Sequence, residues 1–173
     1  MAQEADITRS PRIGHGFDLH ALEPCAPQGR GQAFRLCGVL LDHTHGPVAH
    51  SDGDAGLHAV TDALLGAIGA PDIGQLFDDA DPRWKGANSD QFVSAAIEQV
   101  QQAGYRVGNL DLTIVCERPK IAQHKDGMRK HIANLLNVSP TLVNVKAKTN
   151  EGVDAIGEGR AVEVHAVVML IPS

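Results

Sequence analysis

The sequence predicts a single α+β domain, and three observations carry the prediction. Residues 105–117 alternate and are rich in branched side chains, so Leu110, Leu112, Ile114 and Cys116 fall on one face of a strand. Leu57, Val60, Leu64, Leu65 and Ile68 recur instead at spacings of three and four, the pattern of an amphipathic helix. Strand-like and helix-like segments then mix without the regular alternation of a parallel α/β sheet.

The elements follow in chain order. Residues 1–11 contain Glu4 and Asp6 and no apolar core, unlike a secretory signal or an Arg-rich transit peptide, so a flexible leader is expected before a domain at 12–173. Residues 12–20 read as a strand, the Pro- and Gly-containing stretch 22–31 as an exposed loop, 34–41 as a second extended piece and 44–51 as another loop. A helix then starts at Asp52 or Asp54, with Ser51 or Asp52 as its N-cap. His58 lies about one turn into it, and Asp54, His58 and Asp62 share one polar, functional face at i, i+4 and i+8. Asp- and Gly-rich residues 71–82 break the periodicity. Residues 90–102 form an amphipathic helix through Phe92, Ala96, Ile97 and Val100, ended by Gly104. Met128, Ile132, Leu135 and Leu136 mark a further helix, and 143–148 and 161–171 are closing strands.

Composition excludes several functions. The 173 residues are 43% apolar and 21% charged, and no apolar run approaches the roughly 20 residues that cross a bilayer. A formal net charge of -6 and the lack of a basic stripe argue against nonspecific nucleic-acid binding. Cys25, Cys37 and Cys116 are too few and too irregularly spaced for a disulfide framework or a Cys-type zinc site, which fits a reducing cytoplasm.

The strongest chemical signal is a possible metal tripod. Alternate side chains of a strand share a face, so Asp18 and His20 point the same way, and His58 from the following helix is the best third arm. No His-Glu-x-x-His occurs, and His50 and Ser51 add polar groups close by. Asp62, one turn beyond His58, is placed to accept the other ring proton of that imidazole. Gly14-His15-Gly16 is too short for a dinucleotide fingerprint, Lys85-Gly86 reverses the P-loop order, and no Gly-x-Ser-x-Gly elbow is present. Lys146-Ala147-Lys148-Thr149-Asn150-Glu151 puts cations, a hydroxyl and a carboxylate at a strand end, a mixture suited to phosphate and a divalent ion.

These segments together resemble the 2-C-methyl-D-erythritol 2,4-cyclodiphosphate synthase family of non-mevalonate isoprenoid synthesis. The resemblance spans nearly the whole chain after the leader. It is carried by Arg12-Ile13-Gly14-His15-Gly16-Phe17-Asp18-Leu19-His20, Ala49-His50-Ser51-Asp52-Gly53-Asp54, Leu57-His58-Ala59-Val60-Thr61-Asp62, Asp72-Ile73-Gly74, Asp79-Ala80-Asp81-Pro82, Lys85-Gly86-Ala87-Asn88-Ser89, Arg118-Pro119-Lys120 and Val145-Lys146-Ala147-Lys148-Thr149-Asn150-Glu151-Gly152. It implies a homotrimer of α+β subunits, each a mixed four-stranded sheet packed against helices, with active sites between subunits. Zinc would be bound by Asp18, His20 and His58, and a magnesium or manganese ion by Glu151. His50, Ser51 and Thr149 match positions that polarise or position phosphoryl oxygens, with His50 and Thr149 as the catalytic candidates.

The same resemblance assigns the cytidine diphosphate end of the substrate to Cys116, Glu117, Arg118, Pro119, Lys120, Ile121 and Ala122, joined by Lys148, Thr149 and Asn150. Asp72, Ile73, Gly74, Phe77, Asp78, Asp79, Ala80 and Asp81 would line a methylerythritol pocket next to Asp18, Leu19 and His20. The implied reaction is a metal-dependent cyclisation that releases CMP. A zinc-dependent phosphohydrolase and a non-catalytic trimeric metal- or isoprenoid-binding module are the alternatives. The chain departs from the family near its end. Members often carry Gly-Phe followed by Gly-Arg-Gly-Glu, whereas Asp154-Ala155-Ile156-Gly157-Glu158-Gly159-Arg160 exchanges the basic and acidic positions. The family places that stretch at a central trimer cavity that can take an isoprenoid diphosphate, and Glu158 opposes an anionic guest there.

Overall fold

A computed structural model describes residues 10–78 and 81–173, so most of the expected leader, together with Asp79 and Ala80, lies outside the described residues. The first strand, β1 (Arg12–Pro24), runs four residues beyond the expected end. The extended piece that follows is a small hairpin of β2 (Arg35–Leu36) and β3 (Val39–Leu40), turned at Cys37 and Gly38, both with positive φ. The expected loop at 44–51 contains β4 (His45–Pro47), which pairs antiparallel with the end of β1.

Four α-helices and three strands, with short 3-10 turns between them, follow the helix α1 (Ala55–Ile68) among the described residues. In order they are α2 (Ile73–Leu76), α3 (Asp90–Gln102), β5 (Tyr105–Val115), α4 (Lys125–Leu135), β6 (Val143–Lys148), α5 (Asp154–Gly157) and β7 (Ala161–Pro172). The main sheet has the order β4-β1-β7-β5-β6, antiparallel except where β5 and β6 run parallel. It therefore has five strands, not four. The additional strand is a three-residue edge piece containing Gly46 and Pro47, too short to display alternation, and proline is tolerated there because an edge strand need not donate on both sides.

One face of the sheet is buried under α1, α3 and α4. Val162, Val164, Ala166, Val168 and Leu170 of β7 meet Leu110, Leu112 and Ile114 of β5 and the apolar side of α1 in a single core. The outward residues of β1 and β7, among them Ile13, Phe17, Leu19, Val167 and Met169, are exposed. On the inner face of β1, Gly14 and Gly16 let α1 approach backbone to backbone. A Cβ on Gly14 would lie 1.9 Å from the Ala63 carbonyl oxygen, and one on Gly16 would lie 1.9 Å from that of Ala59. This contact positions the site, because Asp18 and His20 are the next two inward residues of β1 and His58 directly precedes Ala59.

Candidate metal centre and an adjoining cationic pocket

The start of α1 is fixed by Asp54, not by Ser51 or Asp52. Its carboxylate accepts the Leu57 N–H at 3.0 Å and reaches across to the hairpin, accepting from the Cys37 and Gly38 N–H groups at 2.7 and 2.6 Å. Asp54 is fully buried, and burial pushes its carboxyl above the ordinary value against the opposing effect of those three donors. The shared face of Asp54, His58 and Asp62 thus divides into an anchor, a site residue and a turn acceptor. Asp62 accepts the Ile73 N–H at 2.8 Å, holding the start of α2, and makes no hydrogen bond to His58, which acts on it only through its charge.

Asp18, His20 and His58 do converge, each offering a ligand atom within 4.8 Å of the others; no other such cluster of three occurs among the described residues. Asp18 Oδ2 is 3.1 Å from His58 Nδ1 and 3.1 Å from His20 Nδ1. His20 Nδ1 is buried without a satisfied hydrogen bond, although Asp18 Oδ2 is 3.1 Å away. A buried polar atom left in this way is costly unless a ligand completes it, so the donor set fits a bound cation. Burial alone would raise the Asp18 pKa, but His20 and His58 outweigh it and hold the carboxyl well below the usual carboxylate range. His58 is shifted upward, with Asp18 prevailing over the effect of burial.

These residues line a cleft of about 480 Å³ shared with His50, Ser51, Ile73, Gly74 and Phe77. His50 Nε2 is buried there with no partner. Leu19 points to the opposite face of the sheet, as strand alternation requires, and only its N–H turns back, to Asp18 Oδ1 at 2.9 Å. Asp72 caps α2 by accepting the Gln75 N–H at 2.9 Å, and Asp81 is paired with Arg83, donor Nε at 2.7 Å. Asp78 is exposed.

Sequence reasoning missed part of the cleft wall. Trp84 and Phe92 line it and pack against Phe77, edge-on with ring centroids 5.1 Å apart for Phe77–Trp84 and tilted at 4.6 Å for Phe77–Phe92. The scarcity of aromatics was the available signal, since the chain has one Trp, one Tyr and four Phe and three of these meet at one wall. It also missed Ser89, fully buried, whose Oγ lies 2.9 Å from His58 Nε2.

The second set of candidate residues forms a separate pocket of about 310 Å³. Cys116, Glu117, Arg118, Pro119, Lys120, Ile121 and Ala122 line it with Lys125, Ala147, Lys148 and Thr149. Asn150 donates its N–H to Glu117 Oε2 at 3.3 Å, and Thr149 Oγ1 donates to Glu151 Oε1 at 3.0 Å. Glu151 is exposed at a turn with a positive φ of 52°. Both pockets lie at the same end of the sheet. Leu19, Glu163, Val115 and Lys148 occupy one row across β1, β7, β5 and β6, which puts Lys148 three strand spacings, about 14 Å, from the metal-side strand. Within one chain the two sets of residues are not brought together.

Fold and site define an α+β protein with a candidate metal centre and a separate cationic pocket, and the comparisons say which. The chain belongs to the YgbB family, which matches residues 11–171. It is 50% identical over 160 residues to the chloroplastic 2-C-methyl-D-erythritol 2,4-cyclodiphosphate synthase of Arabidopsis thaliana, covering 92% of this chain and 67% of that one. It is 46% identical to the synthase of Koribacter versatilis, covering 92% and 97%. Among solved structures it is similar to the CDP complex of IspF from Plasmodium falciparum, with a TM-score of 0.83, 33% identity and 95% and 98% of the two chains covered.

Proposed function

We propose that this chain converts 4-diphosphocytidyl-2-C-methyl-D-erythritol 2-phosphate to 2-C-methyl-D-erythritol 2,4-cyclodiphosphate with release of CMP. The observation that carries the reading is the Asp18–His20–His58 cluster, at the three positions that the resemblance assigns to zinc. In the reaction the 2-phosphate oxygen forms a bond to the β-phosphorus, the bond from that phosphorus to the CMP oxygen breaks, and no water is consumed. A phosphate monoester with a second pKa near about 6 is already largely anionic at neutral pH, so no protein base need create the nucleophile. The task left to the protein is to fold a flexible anion until its two ends meet, and fixed near-attack geometry contributes up to about 7–11 kcal/mol in favourable cases.

Zinc suits the cluster. Ligand atoms around a tetrahedral zinc with bonds of about 2.0–2.1 Å lie about 3.3 Å apart, close to the two spacings of 3.1 Å. A divalent ion bound there supplies positive charge to phosphoryl oxygens. Around it, the unpartnered His50 Nε2 and the Ser51 hydroxyl hold a phosphoryl oxygen, and Phe77, Trp84 and Phe92 form an apolar wall for the methylerythritol carbons. Asp72, Ile73 and Gly74 border the same cleft. Lys120, Lys148 and main-chain groups from Cys116 to Ala122 take the cytidine diphosphate, with Thr149 on its phosphates. Glu151 helps hold a magnesium or manganese ion.

The reading includes a homotrimer, and the separation of the pockets supports contact between copies. A gap of about 14 Å is closed when the cationic pocket of one copy faces the metal cleft of another, and the exposed apolar row of Ile13, Phe17, Leu19, Val167 and Met169 provides the surface for that contact. None of the described helices is long and apolar enough to cross a membrane, and the three cysteines are unpaired, which accords with a cytoplasmic setting. A CMP-release assay in ¹⁸O-labelled water tests the whole reading. CMP and a cyclic product without solvent oxygen are expected; incorporation of the label would make the protein a hydrolase.

A further inference from the structure

We infer that Ser89 and Asp52 act as a positioning pair for His58, forming a carboxylate–hydroxyl–imidazole relay that presents Nδ1 to the metal. The inference rests on the reading of Asp18, His20 and His58 as metal ligands. Ser89 occupies the N-cap position of α3, where a serine side chain ordinarily accepts a helix N–H, yet its hydroxyl makes no capping bond. It is directed elsewhere. Ser89 Oγ makes a short hydrogen bond to Asp52 Oδ1 and lies 2.9 Å from His58 Nε2, while the Ser89 N–H donates to Asp52 Oδ2 at 3.1 Å.

The hydrogen bonds run from His58 through Ser89 to Asp52. An ionised carboxylate only accepts, so Asp52 takes the hydroxyl hydrogen of Ser89. The serine oxygen is then an acceptor toward His58, and Nε2 must carry a ring proton. Nε2 thus keeps its proton for Ser89, and Nδ1, which hydrogen-bonds Asp18 Oδ2 at 3.1 Å, is the nitrogen that gives up its proton to a metal. Asp52 is itself fixed, its N–H donating to the Ala87 carbonyl and its Oδ1 accepting the Asp54 N–H at 3.3 Å. Ser89 is fully buried, so water does not compete for these bonds. Ser51 Oγ, 3.2 Å from the same His58 nitrogen, accepts the Gly53 N–H at 3.3 Å, and its own hydrogen remains available to the cleft. The two serines thus divide the work, Ser89 serving the ligand and Ser51 serving the guest. Partners of this kind orient a histidine ligand and raise its basicity, and their loss typically lowers metal affinity about 10–100-fold.

The test is zinc affinity by chelator competition on the full chain, wild type against Ser89→Ala and Asp52→Asn, with the ring-nitrogen NMR spectrum of His58 in the zinc-loaded protein. Ser89→Ala removes a hydroxyl that caps no helix, so it is expected to stay folded with a modestly lowered metal-free melting midpoint and to lose zinc affinity about 10–100-fold. Asp52→Asn, which retains the shape but not the charge, gives the same direction of change should Ser89→Ala fail to fold. The spectrum is expected to show Nε2 protonated and Nδ1 bound. Wild-type affinity in both variants, or a proton on Nδ1, overturns the inference while leaving the metal site standing. A wild-type chain that takes up no zinc overturns the metal reading and this inference with it.

Discussion

The two pockets at one end of the sheet are built on opposite plans. In the metal cleft the polar groups are half-buried and bonded to one another: Asp18 faces two imidazoles and His58 is backed by Ser89, while Asp54, buried behind the cleft, is tied to three N–H groups. In the cationic pocket Arg118, Lys120 and Lys148 are exposed on a loop and a strand end. Buried, mutually bonded groups localise a charge to a fraction of an ångström, whereas long exposed cations attract an anion without fixing it. The first pocket is suited to placing a reacting centre and the second to holding one end of a substrate.

Substitutions that break the comparison should therefore have very unequal effects. The largest is expected for His58→Ala, which removes a ligand atom and should abolish zinc retention and lower kcat/KM by more than about a thousandfold, or about 4 kcal/mol. Metal analysis beside the CMP assay measures both, and retained zinc with retained turnover would remove the central assignment. Gly16→Ala comes next, because its new Cβ would meet backbone rather than a side chain that can turn away. A loss of about 3 kcal/mol or more in denaturant unfolding is expected, with zinc binding impaired as α1 is pushed from β1.

Asp54→Ala should cost about 2–3 kcal/mol, from a lost helix cap and two hairpin N–H groups left without an acceptor. Thermal melting reads this, and an unchanged midpoint would contradict the anchoring role. Lys148→Ala sharpens the contrast, since it should raise KM about tenfold while leaving zinc content unaltered, with the effect shrinking as salt is added. Asp62→Ala should be the mildest, costing about 1 kcal/mol through the Ile73 N–H and leaving metal and turnover intact. A loss of zinc in that variant would restore Asp62 as a partner of His58.

What the sequence revealed depended on the range of the interaction. The helix at 90–102 and the strand at 143–148 appear where periodicity predicts them, because a buried face imposes a local repeat. Asp18 and His20 were legible for the same reason, two residues apart on one strand. The link between Ser89 and His58, 31 residues apart, leaves no local pattern, and the capping preference of serine suggests a different use for it. Asp54 likewise reads as one member of a helical stripe, and only the folded hairpin shows where its carboxylate goes. The strand β4 went unseen because a three-residue piece cannot display a two-residue period.

The glycine–alanine contact between β1 and α1 has one more consequence. Where most helices rest on a strand through long side chains that can rotate and settle, α1 meets β1 at Gly14 and Gly16 through peptide groups, which have no such slack. A shock arriving from elsewhere in the molecule, such as a repacked core or a warmer bath, must move the whole helix or nothing, so the spacing between Asp18 and His58 behaves like a machined gauge.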